Sequence, residues 1–159
     1  MKKFIILDNV FTDHIRETIL NFSYGNGTIV WKNAGTAEVH YLILDICKDY
    51  FDLSSMIGYE LWRNLSPPGY HLDKDENLYK RTKQLKFPLC SIVYYPLVEN
   101  LVGGEFCTED NIKFIPISNR LLIFGPGLGH KVTPVESGKR IAISMAPWDI
   151  LPEGYSNVA

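Results

Sequence analysis

The sequence predicts a mainly β protein, a jelly roll of short strands with two N-terminal helices packed on one of its sheets. Three observations carry this expectation. Hydrophobic periodicity is helical up to about residue 57 and strand-like beyond it. The strand-like runs are short and are parted by turn residues: Ser66-Pro67-Pro68, Gly103-Gly104, Ser118-Asn119 and Gly125-Pro126-Gly127. Eight such runs can be marked between residues 58 and 147, and many short strands with Gly and Pro turns build a sandwich or a barrel.

Residues 4–7 form a short apolar strand-like run. Thr12 or Asp13 then caps a helix whose apolar face is Phe11, Ile15, Ile19 and Phe22. Residues 23–35, with Gly25, Asn26 and Gly27, read as a loop. A second helix is marked by Val39, Leu42, Ile43, Ile46, Tyr50 and Leu53, with Thr36 as its cap. The strands are expected at 58–64, 69–73, 88–96, 103–107, 112–117, 120–124, 129–133 and 139–147. No repeat, low-complexity tract or linker interrupts the chain. One domain over 1–159 is therefore expected, with supporting helices in 1–57 and a barrel in 58–149.

Sixteen Lys and Arg stand against 18 Asp and Glu, for a net charge of −2. This balance lacks the basic excess that a phosphate backbone demands, so nucleic acid is not an expected partner. Cys47, Cys90 and Cys107 form no C-x-x-C pair and read as buried thiols in a reducing compartment. Phe4 to Leu7 is too short for a signal core or a membrane span, which makes the cytoplasm the expected location. A chain of this length buries roughly two thirds of its unfolded surface without staples. Any metal site would therefore serve function rather than stability.

Such a site is suggested by Tyr70-His71-Leu72-Asp73. In a strand, residues i and i+2 share a face, so the His71 imidazole and the Asp73 carboxylate point at one spot. His130, where an apolar strand meets the turn that follows Gly125-Pro126-Gly127, is the best third ligand. Two histidines and one carboxylate leave positions open on an octahedral metal, which favours Fe(II) with a co-substrate and O₂ over a closed zinc site. His14 and His40 fall on the expected helices, where a solvated or edge histidine is the default.

The last strand alternates Arg140, Ala142, Ser144 and Ala146 against Ile141, Ile143 and Met145. An arginine with only small neighbours on its face is either a structural cation or a bidentate clamp for a carboxylate, with Ser144 able to add a hydroxyl. In 90–95, Ser91, Val93 and Tyr95 share one face and Cys90, Ile92 and Tyr94 the other; the tyrosine facing the interior can donate to the same anion. The polar stretch 74–81 is either a lid or, the favoured reading, a solvated loop. Trp62 and Trp148 either line a groove or, again favoured, pack in the core.

The order of these features resembles the 2-oxoglutarate- and Fe(II)-dependent dioxygenases, and within them the prolyl 4-hydroxylase-like branch. The features are H-x-D at 71–73, the Tyr94-Tyr95 strand leading to Gly103-Gly104-Glu105-Phe106, the run 119–124, then His130 and an arginine ten residues later. The resemblance covers about residues 58–149. It implies a double-stranded β-helix in which His71, Asp73 and His130 hold Fe(II). It implies further that Arg140, Tyr95 and Ser144 bind 2-oxoglutarate. The implied reaction consumes O₂, releases succinate and CO₂, and hydroxylates a peptidyl residue, with prolyl as one candidate, or a small molecule. The segment 61–65 lacks the tyrosine this branch often carries about ten residues before H-x-D, and Lys139, the residue type used by collagen-type relatives, alternates to the face opposite Ser144.

Two other readings stay open on the sequence: a cupin-like metalloenzyme that needs no keto acid, with Arg140 structural, and a non-catalytic jelly-roll binding module. Substrate identity and oligomeric state are not encoded in any motif.

Overall fold

The computed structural model describes residues 3–155; Met1 and Lys2 of the N-terminal run and residues 156–159 of the expected domain lie outside them. Among the described residues no helix is long and apolar enough to cross a membrane. The chain runs β1 (Phe4–Leu7), α1 (Asp13–Asn21), β2 (Val30–Asn33), α2 (Tyr41–Cys47), β3 (Gly58–Asn64), α3 (Glu76–Thr82), β4 (Ser91–Gly103), β5 (Phe106–Thr108), β6 (Lys113–Phe114), β7 (Arg120–Phe124), β8 (His130–Val132) and β9 (Val135–Trp148), then a 3₁₀ turn, Glu153–Tyr155.

The strands pair antiparallel in two sheets, one ordered β1-β7-β4-β9-β3-β2 and the other β6-β5-β8. This is the double-stranded β-helix with helices on one sheet. The pleat divides the apolar residues into two clusters. Ile92, Tyr94, Leu121, Ile123, Ile141, Ile143 and Met145 leave the large sheet on its outer face and meet Ile19 of α1 and Ile43, Leu44 and Cys47 of α2. Val93, Tyr95, Leu122, Phe124 and Ala142 leave it on the inner face and meet Phe106 and Val132 of the small sheet. Each fully buried Ile or Leu contributes about 1.5–3 kcal/mol by leaving water, and one alternating pattern supplies both clusters.

Strands β3 and β7 match the expected bounds, and α1 is capped by Thr12, whose hydroxyl accepts from the Ile15 amide. Other elements differ for local reasons. The expected loop 23–35 contains β2, whose Val30 to Asn33 pair with β3, so the first 57 residues supply both edge strands of the large sheet as well as helices. Helix α2 begins at Tyr41 rather than behind Thr36, because the Thr36 hydroxyl donates to the Asn33 carbonyl and closes a turn there. Leu42, expected on its apolar face, is exposed.

The expected strand 69–73 shrinks to a single bridge between His71 and His130, preceded by Pro68, whose carbonyl accepts from the Val132 amide. Pro67 and Pro68 have no N–H to extend a ladder. The expected strand 103–107 is split, since Gly103 and Gly104 take positive φ and part β4 from β5. Residues 74–81 are not a solvated loop. Asp75 accepts from the Leu78 amide and starts α3, which ends at Lys83 in the left-handed region. His40 is fully buried rather than solvated; it packs against Phe22 and Tyr24.

Candidate metal centre

Because the His71–His130 bridge lies on the free edge of β8, it brings the start of the expected H-x-D strand against the small sheet. Nε2 of His71 is 3.3 Å from Oδ1 of Asp73, and Nε2 of His130 is 3.8 Å from Oδ2. One nitrogen or oxygen from each of the three residues lies within 4.8 Å of the others, a spacing suited to a metal ion. Nδ1 of His71 is 2.7 Å from the Gly69 carbonyl and Nδ1 of His130 is 2.9 Å from the Leu128 carbonyl. A carbonyl only accepts, so each Nδ1 carries the proton and each Nε2 is left with its lone pair toward Asp73, as metal ligation requires. The His130 ring is held by Phe106, stacked at 5.0 Å, and by the edge of Phe124 at 4.9 Å.

Electrostatics follow this arrangement. Asp73 would accept a hydrogen bond from His71 once it is protonated, which raises the pKa of His71, while burial lowers that of His130. Burial works to raise the Asp73 carboxyl, but the two histidines, which in their protonated forms donate to it and attract it, outweigh burial and hold it below its ordinary value. The donor set of two neutral imidazoles and one carboxylate fits a divalent ion of intermediate softness.

The three residues line a cavity of about 400 Å³ that Arg140, Ser144 and Val93 also line. Among the described residues no carboxylate pairs with Arg140, and its Nε is buried without a hydrogen-bond partner. Its guanidinium carbon stands 5.6 Å from the centre of the Tyr95 ring. The Tyr95 hydroxyl is likewise buried and unpartnered; burial raises its pKa against the opposing charge of Arg140, so it keeps its proton for donation. Tyr94, the alternative left open by the alternation, faces outward and donates to Asn119 Oδ1 at 2.7 Å. Gly104 makes room for the arginine: its φ is +65°, and a Cβ there would come within 3.1 Å of Arg140 Cδ. Arg140 and Ser144 share the inner face of β9 but stand four residues apart, about 13 Å along the strand. Nothing ties His14 or Lys139 to this cavity; His14 is exposed on α1.

Trp148 is buried in the core as expected, at 1% exposure, with one side on the cavity, whereas Trp62 is half-buried and lines the cavity, contrary to the core-packing expectation. The sequence reading missed what stands around them. Glu60 accepts from Trp148 Nε1 at 2.7 Å and from the Tyr155 hydroxyl at 2.8 Å. Burial raises its pKa against those two hydrogen bonds. Alternation in β3 places Glu60 with Trp62 and Asn64 on one face, a signal that was available. Asp75 was also missed: its second oxygen accepts from the Glu153 amide at 2.8 Å and so ties the 3₁₀ turn to α3 at the cavity mouth. The Asp-Glu pair opening α3 is the helix-start signal that could have found it.

No protein-family model matches the sequence, and no curated protein matches it. Solved structures do match the fold. A viral collagen prolyl hydroxylase from Paramecium bursaria Chlorella virus-1, in complex with 2-oxoglutarate, superposes with a TM-score of 0.65 at 16% identity, over 91% of this chain and 95% of that one. A prolyl-4-hydroxylase from Pseudomonas putida gives 0.59 at 18% identity, covering 93% of each chain. A prolyl hydroxylase from Trichoplax adhaerens, in complex with a hypoxia-inducible-factor peptide fragment, gives 0.57 at 20% identity, over 97% of this chain and 87% of that one. The fold expected from the resemblance is thus the fold observed.

Proposed function

Starting from a fold shared with prolyl hydroxylases that use 2-oxoglutarate and iron, we propose that this chain is an Fe(II)- and 2-oxoglutarate-dependent dioxygenase that hydroxylates a peptidyl residue or a small molecule, releasing succinate and CO₂. The observation that carries the proposal is the unpaired Arg140 guanidinium in the same cavity as the His71–Asp73–His130 cluster. A half-buried guanidinium whose buried Nε has no partner is costly, and a dicarboxylate relieves that cost while reaching the metal with its other end. The structural-cation reading would call for a protein carboxylate, and among the described residues none pairs with Arg140.

In this reading His71, Asp73 and His130 hold the iron through Nε2, a carboxylate oxygen and Nε2. Bound iron supplies O₂ activation coupled to oxidative decarboxylation of the keto acid. The chain does the rest. The Gly69 and Leu128 carbonyls fix both imidazole tautomers. Arg140 clamps the distal carboxylate of 2-oxoglutarate bidentately, the Tyr95 hydroxyl donates a further hydrogen bond, and Ser144 contacts the same molecule. Val93, Phe106 and Val132 give the cavity apolar walls that exclude water. A peptidyl substrate is supported by the likeness to the Trichoplax enzyme, whose structure contains a peptide fragment.

The test is an anaerobic titration of apoprotein with Fe(II) and then 2-oxoglutarate, following the weak visible charge-transfer band of the chelated keto acid. The expected band disappears in His130→Ala and Arg140→Ala. Bound metal without a band would favour the cupin-like metalloenzyme. No metal binding at all would favour a non-catalytic module.

A further inference from the structure

Three side chains on the cavity wall form a one-way hydrogen-bond relay. The β3–β9 register sets Trp62 opposite Ser144 and Asn64 opposite Ala142, and Trp62, Asn64 and Ser144 all line the cavity. The indole N–H of Trp62 can only donate, and it reaches Asn64 Oδ1 at 2.8 Å. That contact orients the amide: its NH₂ faces Ser144 and donates to Oγ at 2.7 Å. Ser144 Oγ is thereby an acceptor, and its own proton has no acceptor among the described residues although the residue is only 4% exposed. A buried hydroxyl held in this state is a donor reserved for a ligand.

The position of Ser144 says which part of a ligand it meets. It lies about 13 Å along β9 from Arg140, too far for both to grip one carboxylate. Toward the other end it lies opposite Val93 of β4, one side-chain repeat from Ser91. Ser91 in turn pairs with Phe124 of β7, whose ring meets the His130 imidazole at 4.9 Å. Ser144 therefore belongs to the metal end of the cavity.

Resting on the function proposed above, we infer that Trp62 and Asn64 are positioning residues that hold the Ser144 hydroxyl as a donor to the metal-binding end of the keto acid, while Arg140 and Tyr95 hold the distal end. The relay stands on the same strand segment that lacks the expected upstream tyrosine. Its anionic target is the keto-acid carboxylate. Asn64→Asp would undo the arrangement without changing shape, because a carboxylate at position 64 accepts from both Trp62 and Ser144 and takes the serine proton away from the ligand.

The experiment measures 2-oxoglutarate affinity by calorimetry on Mn(II)-loaded protein, and the position of the anaerobic Fe(II)–keto-acid band, in wild type, Ser144→Ala, Ser144→Thr, Asn64→Asp and the Ser144→Ala/Asn64→Asp double variant. Thermal melting checks that each variant is folded. Ser144→Ala and Asn64→Asp should each weaken binding roughly tenfold, the loss of one charge-assisted hydrogen bond, and should move the band. Ser144→Thr should restore both properties, and the double variant should be no worse than about twofold from Ser144→Ala. An unmoved band in folded Ser144→Ala, or losses that add in the double variant, would overturn the inference while leaving the dioxygenase reading intact. If wild type binds no 2-oxoglutarate, that reading falls, and the inference with it.

Discussion

His71 and His130 exchange both of their backbone hydrogen bonds across an isolated antiparallel bridge, at 2.9 and 3.0 Å, and their rings stand 4.2 Å apart. Two residues 59 positions apart in the chain are thus locked together by main chain alone, before any metal arrives. The imidazoles are held in the liganding tautomer by further carbonyls of the same segments.

A preformed site makes metal binding separable from folding. His71→Ala should weaken binding of Fe(II) or Mn(II) by about 100-fold or more, since a lost ligand costs at least as much as the outer partners whose removal costs 10–100-fold. Its half-exposed ring leaves little cavity, so the apoprotein should melt within a few degrees of wild type. Calorimetric metal titration and a melting curve check both; a variant that unfolds would show the histidine to be structural.

Arg140 gives a prediction in the opposite sense. Arg140→Met removes an uncompensated cation and keeps the stem that packs beside Gly104. The variant should be as stable as wild type or up to about 2 kcal/mol more stable, while 2-oxoglutarate binding falls by about 100-fold. Urea unfolding and 2-oxoglutarate titration measure the two effects. Marked destabilisation with binding retained would assign Arg140 to the fold.

Asp75 joins two segments at the cavity mouth. One oxygen caps α3 and the other accepts from the Glu153 amide, and the residue is only 3% exposed. Asp75→Ala should cost about 2–3 kcal/mol, a lost cap plus an amide left without its partner. Amide exchange should rise together in 76–82 and 153–155. A rise confined to α3 would show that the 3₁₀ turn is held by other contacts, such as the Arg81–Glu153 ion pair.

Stability should also depend on pH through His40. Burial lowers its pKa from 6.5 to about 4, with the Glu38 carboxylate opposing and the Lys32 charge assisting. Tyr24 meets its Nε2 at 2.5 Å. The folded pKa lies below the unfolded one, so the unfolded state takes up a proton first as pH falls. Full stability is present above about pH 6.5 and is lost progressively toward pH 4, by about 3 kcal/mol at most. His40→Gln, which keeps a polar partner for Tyr24, should remove that part of the slope when urea unfolding is compared at pH 7 and pH 4.5. An equal slope in the variant would exclude His40 as the source.

What could be read from the sequence was whatever a local period encodes. Alternation in 90–95 and 140–146 divided the residues between two faces without saying which was inner, and both apolar clusters follow that division because a pleated strand sends successive side chains to opposite sides. The same alternation put Arg140 and Ser144 on one face and Lys139 on the other. The β2 edge strand was not legible: its four residues gain their partner only from β3, and nothing in Val30-Trp31-Lys32-Asn33 distinguishes a paired segment from a loop. The start of α2 was misplaced because the Thr36 hydroxyl, competent as a cap, closes a turn on Asn33 instead.

By itself, then, the sequence determined the β-rich class, the two faces of the central strands and the residue types of the candidate site. Tertiary structure alone decided the rest. The choice of Tyr95 over Tyr94, the pairing of His71 with His130, the lack of a counter-charge for Arg140 among the described residues and the Trp62–Asn64–Ser144 relay all depend on which strands become neighbours. The physical reason is that periodicity fixes the direction of a side chain about its own strand, whereas hydrogen-bond partners and unmet charges are set between strands, by register.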